Sequence, residues 1–152
     1  MTRSRLSTAR SARLFAALIA LPLVACGGGD IETVEVTGTT GTESEPGIFL
    51  DGTSSDERLV GRTELAIECD ITEDGDTTVA DCSGPNVITN EGGTWDGTCE
   101  GTSTWTTSEP DHVHVFDCTY LGSGDYDGLR FVQHMEGIDY PWPYTGQIEP
   151  VD

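Results

Sequence analysis

The sequence predicts an all-β domain over residues 58–152, a small antiparallel up-and-down β-barrel with a two-sheet β-sandwich as its alternative, preceded by a disordered tether. Three observations predict it. Apolar and polar residues alternate along most of the segment, and no part of it carries the apolar stripe of an amphipathic helix. Turn-forming clusters separate the alternating stretches, at Glu73-Asp74-Gly75-Asp76, Asn90-Glu91-Gly92-Gly93 and Ser108-Glu109-Pro110-Asp111. Cys69, Cys82, Cys99 and Cys118 all fall inside it, the pattern of a small domain that cross-links a modest core.

The chain opens with Arg3, Arg5, Arg10 and Arg13 and no acid, followed by an apolar run from Leu14 to Ala25. That run is shorter than the ~20 apolar residues a membrane-spanning helix needs, so residues 1–25 read as a signal peptide. Leu23-Val24-Ala25-Cys26 resembles the lipobox of exported bacterial lipoproteins. The resemblance implies that the Cys26 thiol receives a diacylglycerol group and becomes the first mature residue, with the membrane as its partner. The folded domain would then stand outside the cytoplasm, on the cell membrane or the outer membrane.

Residues 26–57 are rich in Gly, Thr, Ser and acids and poor in apolar side chains, as in Thr37-Gly38-Thr39-Thr40-Gly41-Thr42. They read as a flexible tether with nothing to bury. Ile48-Phe49-Leu50 is the exception, read as a loosely docking apolar patch.

Within the domain, Leu59, Gly61, Thr63, Leu65, Ile67 and Cys69 keep one parity and define the inward face of a first strand. Further strands are expected at about Thr77 to Cys82, Asn86 to Asn90, Thr94 to Thr104, His112 to Leu121, Gly128 to Met135 and Tyr144 to Glu149. The midpoints between Cys69 and Cys82 and between Cys99 and Cys118 both fall on turn sequences. If those turns are hairpin tips, each pair faces across neighbouring strands, so the expected disulfides are Cys69–Cys82 and Cys99–Cys118. A zinc site at these cysteines is disfavoured, since no close Cys-x-x-Cys pair is present.

Gly92-Gly93-Thr94-Trp95-Asp96-Gly97-Thr98-Cys99-Glu100-Gly101 and Gly122-Ser123-Gly124-Asp125-Tyr126-Asp127-Gly128-Leu129 resemble repeated elements of small secreted β-barrels. The second is similar to the Gly-x-Gly-x-aromatic-x-Gly stretch of the allene oxide cyclase type of barrel. That resemblance implies a turn between strands with the aromatic ring packed beneath it. It covers residues 60 to 149 and bears on the fold only; no cyclase position maps onto this chain.

The chain has 27 acids against 7 basic residues, and only Arg58, Arg62 and Arg130 lie beyond the leader. So acidic a surface repels polyanions, which excludes nucleic acid as a partner. The candidate metal ligands are His112, His114 and His134; the first two share a strand face, and a neighbouring-strand His134 would complete a zinc or copper site. The expectation without a metal is three partly exposed histidines and no cofactor. The candidate ligand-binding residues are Tyr140, Trp142 and Tyr144, in a proline-interrupted aromatic segment that caps the barrel mouth or presents a binding face. No catalytic residue is assigned, because no nucleophile elbow, phosphate loop or dinucleotide fingerprint occurs.

The function these features support is a lipid-anchored, non-catalytic binding or surface module, holding a small apolar ligand or an envelope component. The alternatives are an enzyme of the cyclase barrel type or a metal-dependent hydrolase, and a purely structural surface lipoprotein. The anchor has a direct test. Cys26→Ser is expected to release the exported protein from the membrane fraction, and its retention there after processing would refute the lipid reading.

Overall fold

The computed structural model describes residues 32–108, 112–138 and 140–151; the expected leader, Cys26 and residues 109–111 of an expected turn lie outside them. The described residues form eleven antiparallel strands in one sheet that curls into a half-barrel. In chain order they are β1 Val34–Thr39, β2 Thr42–Glu45, β3 Ile48–Leu50, β4 Thr53–Ser54, β5 Arg62–Leu65, β6 Glu68–Asp74, β7 Thr77–Asn90, β8 Gly93–Thr106, β9 Val113–Gly124, β10 Leu129–Gly137 and β11 Pro143–Pro150. A short 3-10 turn covers Glu57–Leu59.

From β5 to β11 the sheet is a meander in which each strand lies beside the one before it, except that β6 shares an edge of β7 with β5. The turn between β6 and β7 places Gly75 at a φ of 66°, a backbone conformation that a side chain disfavours. β5 and β6 together occupy the span expected of one strand, broken at Ala66–Ile67. Opposite the break lies Pro85, whose carbonyl accepts from Ala66 N at 3.0 Å. A strand residue's N–H and C=O point the same way, so the donor that proline lacks falls at the gap and costs no ladder bond. This is why β7 runs unbroken through Ser83-Gly84-Pro85, where the sequence reading divides it into two strands.

The principal correction concerns residues 26–57. The stretch from Val34 to Ser54 is not tether but four strands of the sheet, so the folded domain begins near residue 34 rather than 58. β1 pairs with β11 from Val34↔Ile148 to Thr39↔Pro143, and Val36 is buried against the core at 2% exposure. Composition hides this because the strand is held mainly by its backbone ladder and one apolar contact, while threonine suits a pleated surface. Ile48-Phe49-Leu50 is a strand as well, and Phe49 is buried.

The two borders of the sheet are β2–β3 and β4, and the chain links them twice. Thr40–Gly41 carries it from β1 to β2, and Asp51–Gly52 carries it back from β3 to β4. Thr40 N donates to Trp142 O at 2.8 Å, and Trp142 N donates to Thr40 Oγ1 at 2.8 Å, which fixes the first crossing. The expected barrel is therefore a half-barrel whose borders are joined by short linkers instead of ladder bonds, and the two-sheet alternative does not form.

Both disulfides are those expected, Cys69–Cys82 and Cys99–Cys118, each between directly opposed residues with Cα atoms 4.0 Å apart. Cys99 and Cys118 lie in the core, whereas Cys69 is exposed on β6, all of whose residues face water. The core rings are Trp95, Phe116, Tyr120 and Phe131, with Tyr126 stacked on Trp95 at 5.1 Å beneath the β9–β10 turn.

The strand assignment of β1 is testable. Val36→Asp is expected to cost about 3 kcal/mol or more in denaturant unfolding, because it buries a charge with no partner. Thr37→Asp, on the outward face, is expected to change stability by less than about 0.5 kcal/mol. A tether would be indifferent to both.

Candidate functional site

Inside the half-barrel lies a cavity of about 50 Å³, lined among others by Phe49, Asn86, Tyr120, Gln133, Tyr140, Trp142 and Tyr144. No side chain on its lining is ionised at neutral pH, in a chain that carries 27 acids. Its wall is built by strand alternation. Asn86 and Ile88 point inward from β7, Tyr120 from β9, Gln133 and Met135 from β10, and Tyr144 from β11.

The polar part of the wall is one connected line. Asn86 and Tyr120 are both register partners of Gly97 on the intervening β8. A Cβ at Gly97 would stand 2.6 Å from the Tyr120 ring, so glycine there lets the ring lie flat across β8 and reach β7. Asn86 Nδ2 donates to Tyr120 Oη at 2.8 Å, and Tyr120 Oη donates to Gln133 Oε1 at 2.8 Å. Asn86 Nδ2 also lies 3.2 Å from Cys99 Sγ, so the line rests on the buried disulfide.

Two atoms of this wall are unsatisfied. Asn86 Oδ1 and Trp142 Nε1 are buried and have no hydrogen-bond partner among the described residues. An orphaned buried donor or acceptor costs about 1–3 kcal/mol, and here one of each belongs to residues that line one cavity.

The three aromatic residues singled out in the sequence all line this cavity. Trp142 is an interior wall rather than a presented loop residue, at 4% exposure, while Tyr140 is 41% exposed. The rings pack against one another in a series. Phe49 meets Tyr140 at 4.9 Å, Tyr140 meets Trp142 at 4.2 Å, and Trp142 meets His114 at 4.4 Å.

The three histidines do not converge. His112 stacks on Trp105 at 4.4 Å, and His114 packs on Trp142 with Nδ1 2.7 Å from Ser103 Oγ. His134 stands on the opposite face of the sheet, exposed and paired with Asp117 at 2.7 Å. The reason is register. Inward positions are even-numbered on β9 and odd-numbered on β10, so His134 points out where His114 points in. Among the described residues no group of three His, Cys, Asp or Glu side chains is arranged to hold a metal ion.

Sequence reasoning did not single out Asn86 and Gln133. Their signal is a polar residue on the inward parity of an apolar strand face, Gln133 between Phe131 and Met135 and Asn86 two before Ile88. No family model, no curated protein and no solved structure matches the chain.

The titratable groups on the lining are tyrosines. Burial pushes the Tyr120 phenol far above its ordinary range and also raises Tyr144. Tyr140 is pushed up to about 12, first by burial and then by the nearby Glu43 charge. These phenols are neutral hydrogen-bonding groups at physiological pH. Because folding raises their pKa values, the stabilisation they confer is complete below the unfolded value of 10.0 and is lost as pH climbs through the folded values. Ultraviolet titration is therefore expected to show alkaline unfolding beginning above pH 10 and accompanying phenol ionisation. Ionisation of Tyr120, Tyr140 and Tyr144 near pH 10 in a still folded protein would contradict this.

Proposed function

We propose that this chain is an exported, lipid-anchored, non-catalytic binding module that holds the end group of a small ligand inside its half-barrel. One observation carries the reading. An acceptor and a donor, Asn86 Oδ1 and Trp142 Nε1, are buried without partners on residues that line one cavity. A ligand that supplied both hydrogen bonds would remove their desolvation cost.

The size of the cavity narrows the range of plausible occupants. Sites that engulf a drug-sized molecule measure about 300–1,000 Å³, against about 50 Å³ here. Such a space takes a head group and leaves the remainder of the ligand at the mouth, beside Tyr140. An enzymatic reading needs a base or nucleophile that titrates near neutrality, and the lining supplies phenols held neutral by burial.

The two disulfides match an oxidising compartment. Lipidation at Cys26, read from the leader, would hold the domain close to the bilayer. With β1 beginning at Val34, the eight residue steps from Cys26 span at most about 29 Å fully extended. β1 runs from that end toward Thr39 and Thr40, which line the cavity, so the site would lie at the end of β1 remote from the anchor.

The binding reading is tested by native mass spectrometry of the processed protein after incubation with a solubilised envelope extract. A small-molecule adduct is expected on the native protein and is expected to be lost in both Asn86→Leu and Trp142→Phe. A bare native protein, with both variants more stable than it, would overturn the proposal.

A further inference from the structure

On the binding reading above, we infer that the head group seated in the cavity is an acetamido group of the kind carried by N-acetylated amino sugars. Size gives the first constraint. A free volume of about 50 Å³ is a few times the ~10–15 Å³ that one water-sized probe fills. It admits a group of a few heavy atoms and excludes a whole sugar ring.

Charge gives the second. A carboxylate or ammonium group in this cavity would lose its hydration and find no counter-charge on the lining. The head group is therefore neutral.

Hydrogen bonding gives the third. Asn86 Oδ1 accepts and requires a donor, whereas Trp142 Nε1–H donates and requires an acceptor. The two come from different parts of the sheet, Asn86 from β7 and Trp142 from the residue before β11, with β8, β9 and β10 between them. A secondary amide carries its donor and acceptor on separate atoms and so serves two such partners at once. Its N–H would donate to Asn86 Oδ1 and its C=O would accept from Trp142 Nε1. The methyl cap of an acetamido group suits the apolar remainder of the lining, which includes Leu59, Ile88 and Met135.

The mouth gives the fourth. Tyr140 is 41% exposed and is backed by Phe49 at 4.9 Å and Trp142 at 4.2 Å. The exposed part of this supported ring, beside a neutral cavity, offers an apolar contact for the C–H face of a pyranose whose acetamido group is inserted. A peptide amide shares the hydrogen-bonding chemistry but brings no such face.

The experiment follows the indole N–H resonances of the processed protein in detergent, the Trp142 signal being the one that Trp142→Phe deletes. The probes are N-acetylglucosamine, glucose, glucosamine and N-methylacetamide. N-acetylglucosamine is expected to shift that signal saturably, and glucose and glucosamine are expected to leave it unmoved at the same concentrations. N-methylacetamide is expected to bind at least about ten-fold more weakly, having no ring to place on Tyr140. Asn86→Leu and Trp142→Phe, read by tryptophan fluorescence or calorimetry, are each expected to weaken N-acetylglucosamine about ten-fold, the effect of one lost hydrogen bond. The selectivity among probes is measured on the native protein and does not depend on either variant folding.

Equal binding of N-methylacetamide would overturn the sugar assignment while keeping the amide, and equal binding of glucose or glucosamine would overturn the acetamido group. If all four probes leave the signal unmoved while the envelope extract shifts it, the acetamido inference fails and the binding module stands. If nothing shifts it, ordered water is the sole occupant and both readings fail.

Discussion

The pairing of the first described strand with the last is the constraint on which the rest of the structure depends. With β1 beside β11, the chain must cross the open side of the sheet to reach β2 and β3 on the far border. That crossing brings Phe49 to Tyr140 and lays Thr40 against Trp142, residues 102 positions apart in sequence. Without it the inward faces of β7, β10 and β11 would form a solvated concave surface. Hydrogen bonds among Asn86, Tyr120 and Gln133 would then compete with water and contribute little. Contacts of such long range carry a loop-closure cost that must be met before they contribute, although that cost grows only logarithmically with separation. The meander from β5 to β11, cross-linked by two local disulfides, supplies the surface on which β1 docks.

A second regularity follows from curling one sheet around bulky rings. Inward aromatic residues lie over glycines of neighbouring strands: Tyr120 over Gly97, Phe116 over Gly101, Phe131 over Gly146 and Trp142 over Gly137. A Cβ at these four glycines would stand between 2.6 and 2.8 Å from the ring. Each glycine removes a side chain where a ring must pass, so rings cross strands instead of standing upright in the interior. The interior is consequently thin and nearly filled. The cavity survives where the wall turns polar, because Asn86 and Gln133 are tied to Tyr120 and leave that space unfilled.

Much of the fold was legible because it was written in period and punctuation. Alternation at Phe116, Cys118 and Tyr120, and at Leu129, Phe131 and Met135, fixes which face is core, and the turn clusters fix which cysteines oppose one another. The parts that were not legible share a physical cause. β1 to β4 are held mostly by backbone ladders, which any side-chain sequence can make, so a Thr- and Gly-rich composition reads as tether. The histidines misled because a shared face on β9 is local information, whereas the face of His134 depends on the register of β10 against β9. Tyr140, Trp142 and Tyr144 were singled out because prolines mark them, and they line the cavity; Asn86 was not, because a lone polar residue opening an expected strand carries no mark of its own.

The contrast between an acidic exterior and an uncharged interior bears on what the molecule can select. Three arginines and no lysine stand beyond residue 25, so the surface field disfavours the approach of anions at moderate ionic strength. Cations are drawn to that surface, but the cavity lining offers no carboxylate to receive one. Entry without an uncompensated desolvation cost is left to neutral groups, and among these the orphaned donor and acceptor favour the ones able to satisfy both. On the proposed binding reading, selection would be divided in space, with the acidic surface acting against anions and the uncharged, hydrogen-bonding interior acting against cations and hydrocarbons alike. An entirely apolar interior would be the more stable packing. Retaining Asn86, Gln133 and the Trp142 indole at its centre gives up part of that stability, and the Cys99–Cys118 disulfide beside Asn86 offsets part of the loss by restricting the unfolded chain.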